Sequence, residues 1–392
     1  MNNLLLEATR LTRASRLTEA TAVIQRMLQG ETGQLNASAT EFARWKHSSD
    51  EKWRQDFRPD AQKQFVWGLQ NLTDSFPDYA RLKSTPHAGF SPSDLVPEGG
   101  TFVDAHYTNS AGSRSYKLYV PSCYKGQKLP LIIMLHGGTQ TADDFAGGTR
   151  MNVRAEEDSC LVAYPIQPGH ANLSKCWNWF RPEDQCRDRG EPSLVAGITR
   201  QIMKDYSVDP GRVYVAGFSA GGAAATVLTA TYPDLYAAAG VHSGLAFGTA
   251  GDVVSAFAAM RGDCSKQYRT FAFAKEAVPT IVFHGENDRI VHPANAEEIV
   301  GSMKMMASRT DVHRGQVSGG RAYTCTSYIT TDGQVVVEDW RIDGAGHAWS
   351  GGHPAGSYTD AHGPDAAKEM LRFFRGHVLT SRTVKAEEPD RS

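Results

Sequence analysis

The sequence predicts an α/β protein: a mostly parallel, doubly wound sheet with helices on both faces, preceded by a mainly helical N-terminal extension. Three observations carry this expectation. Short apolar runs alternate with amphipathic stretches from Thr101 to His377. A stretch rich in Pro, Gly and Ser at 84–100 separates that pattern from what precedes it. The turn Gly217-Phe218-Ser219-Ala220-Gly221-Gly222 joins an apolar strand to an alanine-rich helix.

Residues 1–30 read as a helix, since Leu17, Ala20, Ile24 and Met27/Leu28 form one apolar stripe and Gly30 is a suitable stop. Such a helix packs on the main body or on a partner subunit; alternatively it lies on a lipid or polymer surface. Residues 42–76 are rich in aromatics and charge, and 84–100 read as a linker. The expected organisation is an extension and linker at 1–95, a catalytic domain at 96–380 and a polar tail at 381–392.

In the second region, Thr101–Tyr107 and Ser115–Val120 read as a β-hairpin. Leu129–Leu135, Leu161–Tyr164, Arg212–Ala216, Ala237–His242, Thr280–His284 and Val335–Ile342 are apolar runs suited to buried parallel strands. Helices are expected at Ser193–Tyr206, Ala220–Tyr232, Ala294–Met306 and Pro364–His377. Strand–helix alternation of this kind favours right-handed crossovers in one sheet.

Composition narrows the function classes. Hydrophobic residues make up 41% and charged residues 21%, a globular balance. Lys and Arg total 41 against 43 Asp and Glu, so nothing in the net charge of −2 favours nucleic acid as a partner. Leu4-Leu5-Leu6 is interrupted at once by Glu7, and no apolar run approaches a membrane span. The expectation is a cytoplasmic protein without a transmembrane segment, with secretion as the alternative. The six cysteines contain no C-x-x-C, no metal-ligand spacing is visible, and neither metal nor cofactor is expected.

The chemistry sits in four glycine-rich places. A serine between glycines on a strand-to-helix turn projects its oxygen outward, which makes Ser219 the candidate nucleophile. The loop His136-Gly137-Gly138-Thr139-Gln140 follows a strand and offers the amide of Gly138 or Thr139 to an oxyanion, with that of Ala220 as the second donor. His136 itself suits holding the loop by hydrogen bonds. Asp288 follows the strand Thr280–His284 and is the expected triad acid, with Glu286 as its neighbouring competitor. His347, in the loop after the last strand, is the expected general base. The order Ser219, Asp288, His347 is that of an α/β-hydrolase.

With these residues in place, the segments LIIMLHGGTQTADDFAGGTRMN, CWNWF, VYVAGFSAGGA, VFHGENDRIVHPAN and GAGHAWSGG together resemble the poly(3-hydroxybutyrate) depolymerase family of esterases, over roughly residues 100–378. The resemblance implies a serine carboxylic-ester hydrolase with Ser219, Asp288 and His347 as triad and Gly138 in the oxyanion loop, where many family members carry cysteine. It implies short hydroxyalkanoate esters or polyester as substrate, with feruloyl or acetyl-xylan esters as the alternative. Trp177 and Trp179 are the candidates for the substrate cleft, and His242, Leu245 and Trp349 are further candidates for its wall. Against secreted depolymerases, no signal peptide is recognisable and only a short polar tail follows His377. A reading of another class is a polymer-granule-associated interaction protein, attached or self-associating through the N-terminal helix.

Overall fold

The computed structural model describes residues 95–263 and 277–379. The expected helix at 1–30, the aromatic-rich stretch at 42–76, Cys264 and the polar tail lie outside the described residues, as does most of the expected linker.

Strands β1 (Thr101–Asn109) and β2 (Gly112–Val120) form the antiparallel hairpin. They are followed by β3 (Leu129–Leu135), helices α1 (Ala142–Thr149) and α2 (Met151–Asp158), β4 (Leu161–Pro165), a short 3-10 turn at Pro182–Gln185 and α3 (Gly190–Asp205). Next come β5 (Val208–Phe218), α4 (Ala220–Thr231), β6 (Ala238–His242), α5 (Val253–Met260), β7 (Thr280–Gly285) and α6 (Ala294–Lys304). A second hairpin, β8 (Arg309–Gln316) and β9 (Ala322–Ile329), leads to β10 (Val335–Ile342), and α7 (Ala366–Arg375) closes the described chain. Trp349–Ser350 (β11) and Thr359–Asp360 (β12) pair in a small separate sheet.

The main sheet has ten strands in the order β1-β2-β4-β3-β5-β6-β7-β10-β9-β8. The six from β4 to β10 run parallel, and each end is an antiparallel hairpin. Side-chain alternation explains why β3 is apolar throughout. Leu131, Ile133 and Leu135 enter the core on one face of the sheet, and Ile132 and Met134 enter the core on the other. Helix α7 shows the complementary pattern: Met370, Leu371, Phe373 and Phe374 form a buried stripe, and Phe374 stacks on Tyr214 of β5 at 4.8 Å. No helix among the described residues is long and apolar enough to cross a membrane.

Register brings the carboxyl ends of the parallel strands to one level. Leu135 pairs with Gly217, Phe218 with His242, His242 with Phe283, and Gly285 with Ile342. The loops that leave these ends therefore converge on one edge of the sheet. Ligands bind there in open α/β sheets.

Candidate active site

Ser219 sits between β5 and α4 with φ 55° and ψ −118°, a backbone conformation that costs a non-glycine residue about 1–3 kcal/mol. Its neighbours explain how the chain tolerates so tight a turn. A Cβ on Gly217 would lie 2.2 Å from the Gly221 carbonyl oxygen, and one on Gly221 would lie 2.0 Å from that of Leu135. Only glycine fits at either place. The Ser219 N–H donates to His242 O (2.9 Å), which ties the turn to β6. Its Oγ makes no hydrogen bond to another described residue and faces an apolar cavity that His347 also lines.

His347 is 5% exposed, and its Nδ1 lies 2.7 Å from Asp288 Oδ2. Asp288 is buried and fully hydrogen-bonded: Oδ1 accepts the N–H groups of Ile290 and Val291, both at 2.9 Å. The His284 ring adds Nε2 at 3.5 Å from Oδ2. Burial alone would raise the Asp288 pKa. The imidazole of His347, that of His284 and the Val291 amide outweigh it and hold the carboxyl below its usual value. Glu286 is exposed, away from this arrangement.

The loop after β3, the candidate oxyanion loop, is set by a buried histidine. His136 Nε2 accepts the Gln167 N–H (3.1 Å), so Nδ1 carries the proton and donates to Gly137 O (2.8 Å). Burial pushes the His136 pKa down to about 4, which keeps the ring neutral. The Gly137 carbonyl and the Gly138 N–H belong to one trans, planar peptide and point in opposite directions. Fixing the carbonyl on His136 therefore turns the Gly138 N–H away from the ring, and Gly138 lines the cavity. That N–H has no partner among the described residues. Ala220, as first residue of α4, has its N–H outside the helical ladder and also lines the cavity. Gln140 Oε1 holds the Gly137 N–H (2.8 Å), and Asp144 ties Gln140 to Ser357.

Several expected site residues stand elsewhere. The Thr139 N–H donates to Ser174 O at 2.6 Å, so it is not open to an oxyanion. Trp177 does not line the cavity; its indole N–H donates to His136 O (3.1 Å) and braces the loop after β3 from the core. His242 is fully buried, its Nε2 accepting the Ser350 N–H (2.9 Å). Trp349 is 2% exposed and stacks on His242 at 5.1 Å. Burial in the core, rather than exposure to the cavity, takes up the side chains of Trp177, His242 and Trp349. Trp179 and Leu245 do line the cavity, with Cys176, Phe218, Met260, Ile290, Val291 and Tyr358, which the sequence did not single out. Tyr358 has φ 52° and no sequence signal. Met260 closes a helix whose existence was not expected either. Among the described residues no cluster of His, Cys, Asp and Glu is arranged to hold a metal ion.

A family model described as "Esterase PHB depolymerase" matches residues 114–346, more than half of the chain. The chain belongs to this esterase family. It is 32% identical over 261 residues to a poly(3-hydroxyalkanoate) depolymerase C from Paucimonas lemoignei, a match covering 63% of this chain and 61% of that protein. It is 30% identical over 220 residues to a feruloyl esterase B from Thermothelomyces thermophilus, covering 52% of this chain and 74% of the other. An acetyl xylan esterase structure from Aspergillus awamori superposes with a TM-score of 0.54 at 18% identity, covering 71% of this chain and 99% of that one. The shared fold is that of the α/β-hydrolases.

Proposed function

We propose that this protein is a serine carboxylic-ester hydrolase working through an acyl-enzyme, with short hydroxyalkanoate esters or poly(3-hydroxybutyrate)-type polyester as substrate. The observation that carries the reading is the buried Asp288–His347 hydrogen bond, beside the same apolar cavity as Ser219 and two amides without a partner among the described residues.

Ser219 Oγ attacks the ester carbonyl while His347 Nε2 takes its proton, and Asp288 holds the imidazole by Nδ1 and stabilises its charged form. The amides of Gly138 and Ala220 receive the carbonyl oxygen as it gains charge. Collapse breaks the ester C–O bond. His347 returns the proton to the departing alcohol, and water activated by the same imidazole then releases the acid. Leu245, Met260, Ile290 and Val291 suit a short aliphatic acyl chain, because the cavity wall they form gives it no polar partner.

The test is release of 3-hydroxybutyrate and its oligomers from amorphous poly(3-hydroxybutyrate), with Ser219→Ala as control. Release by wild type alone supports the full reading. Hydrolysis of a short p-nitrophenyl ester without polymer release removes the polyester and leaves the esterase. A second reading, a feruloyl or acetyl-xylan esterase, draws on the names of two of the matched relatives. Cleavage of feruloylated sugar without polymer release selects it.

A further inference from the structure

We infer that Glu191 is a positioning residue that governs which acyl group this enzyme takes, by holding the cavity wall that carries Cys176 and Trp179; the inference rests on the esterase reading above. Glu191 lies in the first turn of α3, outside the cavity, with its side chain 9% exposed. In sequence it reads as an ordinary acidic residue at a helix start. In the structure its carboxylate is the centre of a buried network.

Four donors converge on it. Oε1 accepts from Arg114 Nη2 (3.2 Å), from Asn178 Nδ2 (2.7 Å) and from Gln167 Nε2. Oε2 accepts the backbone N–H of Asn178 (2.7 Å). The Glu191 backbone is fixed in turn, its N–H donating to Asp184 Oδ1 (2.8 Å). From this centre the order passes to the wall. Gln167 Nε2 also donates to Cys176 O (3.0 Å). Asn178 Oδ1 accepts from Asn172 Nδ2 (3.0 Å), and Asn172 Oδ1 accepts the N–H groups of Ser174 (3.0 Å) and Cys176 (3.3 Å). Every backbone link of the 172–178 turn named here is therefore within three hydrogen bonds of the Glu191 carboxylate. Trp179, the next residue, presents its ring to the cavity.

None of these bonds touches Ser219, Asp288 or His347, which hang on β5, β7 and the loop after β10. The wall and the triad are thus separately supported. Changing Glu191 to glutamine keeps the volume but sets an NH2 group against at least one of four donors, and a buried donor without an acceptor is costly. The expected consequence is a displaced wall around a standing triad.

The experiment compares kcat/KM for p-nitrophenyl butyrate with that for p-nitrophenyl acetate in wild type, Glu191→Gln, Trp179→Ala and the double variant. The two substrates differ by two methylenes, whose full burial is worth about tenfold in affinity. Glu191→Gln is expected to lower the butyrate/acetate ratio by up to about tenfold, and Trp179→Ala to lower it likewise. The double variant is expected to match Trp179→Ala in this ratio, because the network's other ties, to the loop carrying Gly138, affect both esters alike. Multiplied effects in the double variant overturn the inference, as does an unchanged ratio in either single variant, even where Glu191→Gln lowers the melting temperature. A wild type inactive on both esters overturns the esterase reading itself and this inference with it.

Discussion

Replacing Asp288 by asparagine isolates one atom of the proposed triad. Asp288 Oδ1 accepts two backbone amides at 2.9 Å, so an asparagine keeps its carbonyl oxygen there and its NH2 takes the place of Oδ2. That NH2 then faces His347 Nδ1, 2.7 Å from the replaced oxygen, and His284 Nε2, 3.5 Å from it. Two donors cannot share one contact. His347 must shift its proton to Nε2 and turn its Nδ1 lone pair toward the amide. An Nε2 that already bears a proton cannot take one from Ser219. The same exchange in a serine protease lowers kcat about 10⁴-fold, which corresponds to about 5.5 kcal/mol of barrier. The assay is steady-state hydrolysis of p-nitrophenyl acetate near neutral pH, with circular dichroism to confirm that the variant is folded. A folded Asp288→Asn variant with kcat within tenfold of wild type would refute the assignment of Asp288 and the tautomer argument together.

Other outcomes follow from the same geometry. Ser219→Gly removes the nucleophile and also the penalty of φ 55°, so hydrolysis is expected to vanish while the melting temperature rises; a lower melting temperature contradicts the strain argument. A Cβ on Gly138 would stand 3.9 Å from that of Cys176, inside the range of about 3.5–4.5 Å for a disulfide. Gly138→Cys is therefore expected to lose two titratable thiols on oxidation and to keep its amide and its activity. Detection of both thiols in the unfolded, oxidised variant counts against that placement. Stability is expected to fall as pH drops from about 6.5 toward 4. His136, His242 and His284 are buried with depressed pKa values, so the unfolded chain binds their protons first, at up to about 1.4 kcal/mol per pH unit each. Asp184, raised to about 7 by burial and the charge of Glu191, opposes them over the same window, and Asp339, raised by burial, acts in the same direction as Asp184. A melting temperature that does not fall between pH 6.5 and pH 5 contradicts the balance of three against two.

The parallel strands could be read from the sequence because burial on both faces leaves continuous apolar runs, as in Leu129–Leu135. The β8–β9 hairpin could not. Strand β8 lies at the sheet edge, exposed at seven of its eight residues, and its sequence RTDVHRGQ has no alternation to reveal it. Helices α1 and α2 were missed for a related reason: each has only eight residues, and α1 carries Gly147 and Gly148 in its last turn. At the site, residues that need a particular backbone stood out, as Gly217 and Gly221 did. Residues whose role depends on long-range partners did not. Glu191 looks like any first-turn acid until Arg114 and Asn178 are seen to converge on it. The aromatics failed in the opposite direction. Trp177 and Trp349 occupy the conspicuous motifs, yet folding buries them, and Trp179 reaches the cavity from only two residues beyond Trp177.

The position of β10 bears on when a newly made chain becomes active. Ser219 and Asp288 leave strands that are already neighbours of β6, but His347 follows β10, which pairs with β7 across the intervening α6 and β8–β9 segments. On the proposed triad, a nascent chain that has left the ribosome only as far as Asp288 holds a nucleophile with no base. Parallel pairing over such sequence distances is slow and late. Ester cleavage by the proposed triad is therefore expected to arise in one step, when the last parallel strand docks. A fluorogenic ester added during synthesis would report completion of the sheet.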